Sequence, residues 1–220
     1  MGSDDLFHKR KAQKTELHRR KIARLSPYER VLIVCEGEKT EPNYFRWLRD
    51  RFRLNRANIV IADKRGGLDP KSLVEYAIDE YNKEKDFDHV YCVFDKDKHT
   101  TYQAALDKIR SKRLKGKDKI HASTSVPCFE FWLLLHFVYT TSQYCAPFED
   151  SNCNLVISDL QQYISGYEKG SNDFLVYIID RTEEAIKNAK MLEKFHETSG
   201  TDNPSTKVHQ LVEYLKRLTR

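Results

Sequence analysis

The sequence has no long greasy run. Its longest apolar stretch, Phe129 to Tyr139, is broken by Glu130 and His136, short of the roughly 18 residues that suggest a membrane span. No apolar segment lies near the start, so no secretory signal and no membrane partner are expected, and the expected compartment is the cytoplasm. CxxC spacing is also missing. The five cysteines (Cys35, Cys92, Cys128, Cys145, Cys153) are odd in number and scattered, three of them inside apolar runs. That pattern argues against a zinc site and predicts reduced, mostly buried thiols instead of a disulfide framework. No internal repeat stands out, and no spacing matches a P-loop.

What is present is a polar globular composition over 220 residues, with 40% hydrophobic and 32% charged side chains. A chain of that length buries a core without disulfide or metal staples. The charge is unevenly placed. Residues 1–30 carry nine basic and four acidic side chains, and this +5 equals the formal net charge of the whole chain. Residues 31–220 are therefore neutral in sum. The excess, which includes Lys9, Arg10, Lys11, Arg19, Arg20 and Lys21, reads as a basic arm suited to a polyanion, or as a solvated terminus.

The periodicity predicts alternating strands and helices. Arg30–Cys35 (RVLIVC), Asn58–Ala62, Asp88–Asp95 (DHVYCVFD) and Ile120–Thr124 read as short buried strands. Helices are expected from Thr40 to about Phe52, with Glu41 and Pro42 in the first turn. Others are expected from Asp69-Pro70 to about Lys83, from Thr101 to Lys112, and from Pro127 to about Val138. This alternation predicts an α/β fold, a central mostly parallel sheet flanked by helices. Beyond Tyr139 only helical patterns follow, around 154–165, 172–196 and 204–219, the last opened by Asn203-Pro204-Ser205-Thr206. The expected organisation is a basic arm (1–29), an α/β core (30–140) and a helical C-terminal region packed on it (141–220).

In such sheets ligands bind beyond the carboxyl ends of the strands. Two apolar strands end there in acids: Glu36-Gly37 after the first, Asp95-Lys96-Asp97 after the third. Carboxylates that converge repel one another, and a divalent cation removes that repulsion. Mg²⁺ or Mn²⁺ with oxygen ligands suits a phosphate substrate. Each acid also has an ordinary use, as a turn residue, a helix cap or a partner for Lys96 and Lys98.

The paired patterns VLIVCEG and VYCVFDKD resemble the Toprim domain of topoisomerases, bacterial primases and lysogenization-defect nucleases, over roughly residues 30–125. That resemblance implies Glu36, Asp95 and Asp97 as Mg²⁺ residues and Glu36 as a general acid or base. The runs EGEKTEPNYF, SVPCFEFWLLLHF and NPSTKV are similar to the RloB family over nearly the whole length. The likeness implies a nuclease-like effector of anti-phage defence, often beside a partner ATPase. The sequence departs from other Toprim enzymes in having no cleavage-domain tyrosine and no zinc ribbon, which argues against a topoisomerase or a primase.

Around these acids stand further candidates. Glu130, early in the apolar helix, completes a metal sphere or caps the helix. His136 reads as a core histidine. Lys39 and Lys96 flank the acids and would meet a phosphate, and Lys39 is grouped with the catalytic residues. Lys64 and Arg65, before Gly66-Gly67, form a basic loop suited to phosphate. Tyr163, Tyr167, Phe174 and Tyr177 read as packing, or as a stacking patch. The expected function is Mg²⁺-dependent hydrolysis of DNA or RNA. The alternative is a non-catalytic subunit that binds nucleic acid or docks an ATPase. A homo-oligomer is compatible with either.

Overall fold

The structure is a computed structural model that describes residues 29–62, 67–84, 86–96, 99–116, 118–147 and 151–219. The arm residues Lys9, Arg10, Lys11, Arg19, Arg20 and Lys21, the loop residues Lys64 and Arg65, and Asp97 lie outside the described residues.

Five strands form one sheet: β1 (Val31–Cys35), β2 (Ile59–Ile61), β3 (His89–Asp95), β4 (Lys119–Val126) and β5 (Ser205–Thr206), in the order β2-β1-β3-β4-β5. The first four run parallel and β5 is antiparallel to β4. Between them run α1 (Thr40–Arg51), α2 (Pro70–Glu84) and α3 (Tyr102–Ser111). After β4 come α4 (Glu130–Leu134), α5 (Asn152–Gln161), α6 (Leu175–Ile178), α7 (Thr182–Ser199) and, past β5, α8 (Val208–Arg217). The mixed α/β fold with a mostly parallel sheet and a helical C-terminus is the one the alternation predicts.

The unbroken apolar runs of β1 and β3 follow from burial on both faces. Val31, Ile33, Cys35, Tyr91 and Val93 point into the larger core, against α1, α4, α5, α7 and α8. Leu32, Val34, Val90, Cys92 and Phe94 point into a smaller core against α2 and α3. The C-terminal helices share the first of these cores with the sheet. Among the described residues no helix is long and apolar enough to cross a membrane.

Four local expectations are corrected. The helix expected over 127–138 is reduced to α4. The His136 ring nitrogen Nδ1 lies 3.0 Å from the Trp132 carbonyl, the acceptor its own backbone N–H would need, and that N–H turns to Leu133 instead. The segment 172–196 divides into α6 and α7. The helix expected from Asn203 starts at Val208, because Ser205 and Thr206 pair with Val126 and Ser125. Cys128 and Cys153 are not reduced thiols but a disulfide. The turn after β4 brings Cys128 to the first turn of α5, with the Cα atoms 5.7 Å apart, a separation that permits a bridge. Of the others, Cys35 and Cys92 are buried and Cys145 is exposed.

Candidate functional site

The parallel register fixes the two strand-end acids side by side. Cys35 pairs with Val93, and the Glu36 N–H continues the ladder by donating to the Val93 carbonyl at 2.9 Å. Glu36 thus leaves β1 at the level where β3 ends. Its Oε2 accepts the backbone N–H of Asp95 at 2.9 Å, and its Oε1 lies 2.7 Å from His99 Nε2. Asp95 Oδ2 accepts the Phe129 N–H at 3.1 Å, which ties the end of β3 to the start of α4.

Two further acids close on the same spot. Glu130 opens α4 and is 2% exposed. The Tyr167 hydroxyl donates to its Oε1 at 3.2 Å, and Lys169 Nζ stands 3.5 Å from Oε2. Cys153 Sγ is 3.3 Å from the same oxygen, a packing contact, since a disulfide sulfur has no hydrogen to donate. Glu41, in the first turn of α1, was not among the sequence candidates. Its Oε1 accepts the Gly37 N–H at 3.2 Å. A Cβ on Gly37 would fall 1.8 Å from Glu41 Oε2, so the glycine of the E-G pair is what lets this carboxylate fold back. The signal was present in EGEKTE, an acid in a helix's first turn beyond a strand end, the logic already applied to Glu130.

Glu36, Glu41, Asp95 and Glu130 line one cleft of about 410 Å³, together with Lys39, His99 and Lys169. Burial raises the pKa of the Asp95 carboxyl, and the neighbouring Glu41, Glu130 and Glu36 raise it further. Glu41 is pushed up to about 7, by burial first and then by Glu130 and Glu36. Acids crowded in this way hold protons or need a cation. The donor set is carboxylate oxygen, which fits a hard divalent ion such as Mg²⁺ or Mn²⁺. Cys128 and Cys153 sit close enough to Glu130 to make a three-ligand cluster, but as a disulfide they offer no thiolate.

The remaining candidates separate. Lys39 is exposed at the rim, its side chain against Gly170. Lys96 points away from the cleft, pairing with Asp202 at 2.6 Å. His136 is fully buried, with its ring edge-on to Tyr44 and Trp132, and burial holds its pKa down at about 4. Tyr167 and Phe174 are core, whereas Tyr163 and Tyr177 are exposed.

An α/β protein whose parallel strands deliver acids to a cleft at their carboxyl ends is the class defined by this fold and site. Within it, the chain belongs to the RloB-like protein family, whose family model matches residues 31–215. No curated protein and no solved structure matches it.

Proposed function

We propose that the protein is a Mg²⁺-dependent, Toprim-like nuclease that hydrolyses phosphodiester bonds of DNA or RNA in anti-phage defence. The observation that carries this reading is the Glu36 carboxylate bonded to the Asp95 backbone at 2.9 Å, inside a cleft that holds three more acids. Glu36, Asp95, Glu41 and Glu130 are the groups that would hold the ion, with Asp97 beside them in sequence. When bound, a divalent ion lowers the pKa of a coordinated water and neutralises phosphate charge.

The chain's own groups supply the rest. Glu36 takes the proton of the attacking water as the new P–O bond forms, and the bond to the leaving sugar oxygen breaks, that oxygen taking up a proton from solvent. His99, 2.7 Å from Glu36 Oε1, orients that carboxylate. Lys39 and Lys169, at the rim, face the charge that develops on the phosphate oxygens. The basic arm grips the polymer through its phosphates. A partner ATPase restrains the activity until infection, since an unchecked nuclease would harm its host.

The test pairs Mn²⁺ titration with cleavage of labelled single- and double-stranded DNA and RNA, for wild type and Glu36→Gln. The expected result is metal binding and metal-dependent cutting by the wild type, with both lost in the variant. Equal background cutting by both proteins, with nucleic acid still bound, would replace the nuclease by a binding subunit.

A further inference from the structure

A second feature of the sheet lies outside the cleft. β4 has β3 on one side, and on the other β5 covers only Ser125 and Val126. The backbone of odd-numbered residues faces β3: the Lys119 N–H donates to Asp88 and the Ser125 carbonyl accepts from Lys96. Even-numbered residues face outward, as the Thr124 carbonyl shows by accepting the Lys207 N–H at 2.8 Å. The N–H and C=O groups of Ile120 and Ala122 therefore point away from the sheet. They point into a groove of about 990 Å³ between α3 and α8, walled by Leu106, Ile109 and Leu211. The groove touches both faces of the strand, since Ile120, Ala122 and Thr124 line it along with His121 and Ser123. The Ser123 hydroxyl is buried and has no hydrogen-bond partner among the described residues.

A strand edge inside a groove presents amides and carbonyls in alternation, which only another amide backbone satisfies throughout. The charge at the two ends is positive. Lys207 and Lys96 stand at the carboxyl end, the latter paired with Asp202, and Arg217 and Arg110 stand at the other, the latter paired with Asp107 at 3.2 Å. We infer that the open edge of β4 takes one extended segment of a partner protein, acidic at its ends, as an added strand.

The charge decides against two other occupants. A second copy of β4 brings Lys119 to a groove already cationic, and the chain's own arm is basic. A nucleic-acid strand would satisfy the cations but set its phosphates against the outward carbonyls of Ile120 and Ala122. The free part of the edge, residues 119–123, is spanned end to end by a hexapeptide, which measures roughly 20 Å when extended. The apolar wall takes the alternate side chains, and the Ser123 hydroxyl gains a partner.

The probe is a fluorescein-labelled hexapeptide of alternating threonine and valine with glutamate at both ends, measured by anisotropy in EDTA. Without metal, the outcome is independent of the nuclease reading. Binding should weaken with salt, and the Ile120 and Ala122 amides should gain protection from hydrogen exchange. Ala122→Pro removes an N–H the sheet does not use, and should lower affinity at least about tenfold with the fold intact. The pair Arg110→Glu and Arg217→Glu should do likewise, and a peptide with lysine at one end and glutamate at the other should bind that variant instead, since Lys207 still marks the opposite end. This charge exchange decides the matter should the proline variant not fold. The inference is overturned by any of four results: absence of hexapeptide binding, binding indifferent to both sets of changes, protection of those amides by an oligonucleotide, or their protection by self-association.

Discussion

The cleft and the groove border one another on the same sheet, and His99 lines both, yet they are opposite in charge and built from different parts of the chain. The cleft is made of side chains delivered by strand ends and helix starts, and five of them are acids, the exposed Glu38 included. The groove is made of strand backbone, with cations at its ends. A parallel sheet sends its successive strand ends to one rim, so acids placed there converge whatever their separation in sequence. An edge strand, by contrast, offers hydrogen-bonding groups along its whole length unless something covers it. Charge repulsion governs the first region and unsatisfied backbone the second.

The strongest way to break this contrast is Asp95→Asn. If repulsion among acids defines the cleft, metal-dependent cleavage should fall about a thousandfold, while the metal-free protein becomes more heat-stable because a buried, repelled carboxyl is gone. Cleavage assays and thermal melts in EDTA read the two effects, and a variant less stable than wild type would contradict the electrostatic account. Gly37→Ala comes next. The new methyl group must displace Glu41, so Mn²⁺ affinity should drop roughly tenfold, a size seen when groups supporting a metal ligand are lost. Unchanged affinity would remove Glu41 from the site.

Acidity gives a third handle. Glu41, with a pKa of about 7 in the fold against 4.5 as an ordinary carboxyl, binds its proton more tightly when folded. Its stabilising contribution is full below 4.5 and is lost as pH rises through 7. The metal-free melting temperature should therefore fall by roughly 5 °C between about pH 5 and pH 8. Glu41→Gln should flatten that slope, and a saturating divalent ion should offset it. Calorimetry across pH checks the sign. The smallest effect is expected for His99→Ala, where Glu36 keeps its bond to the Asp95 N–H. Cleavage should fall about tenfold with Mn²⁺ affinity nearly unchanged, because His99 orients a carboxylate without being a ligand.

The paired acids were legible because their strands are. RVLIVC and DHVYCVFD are unbroken apolar runs ended by a carboxylate, a pattern set by two-faced burial and readable without coordinates. Glu130 was legible as an acid just inside a helix, although with two uses open, and the fold puts it beside the other acids and also against Tyr167 and Lys169. Glu41 was not, because what brings it in is the missing side chain of Gly37, a contact with no periodicity. Lys96 flanks Asp95 in sequence but turns to Asp202, more than a hundred residues away. The short α4 escaped because a histidine ring takes its helix carbonyl, and β5 because two residues of Ser-Thr carry no strand signal.

Local chemistry wrote the α/β alternation, the strand-end carboxylates and the basic arm into the order of residues, since burial and turn formation act over a few positions at a time. Folding added what depends on neighbours distant along the chain: the Cys128–Cys153 bridge, the acidic cleft and the open flank of β4. Proximity in space sets repulsion, disulfide reach and backbone pairing, and a linear pattern of residue types does not carry that proximity.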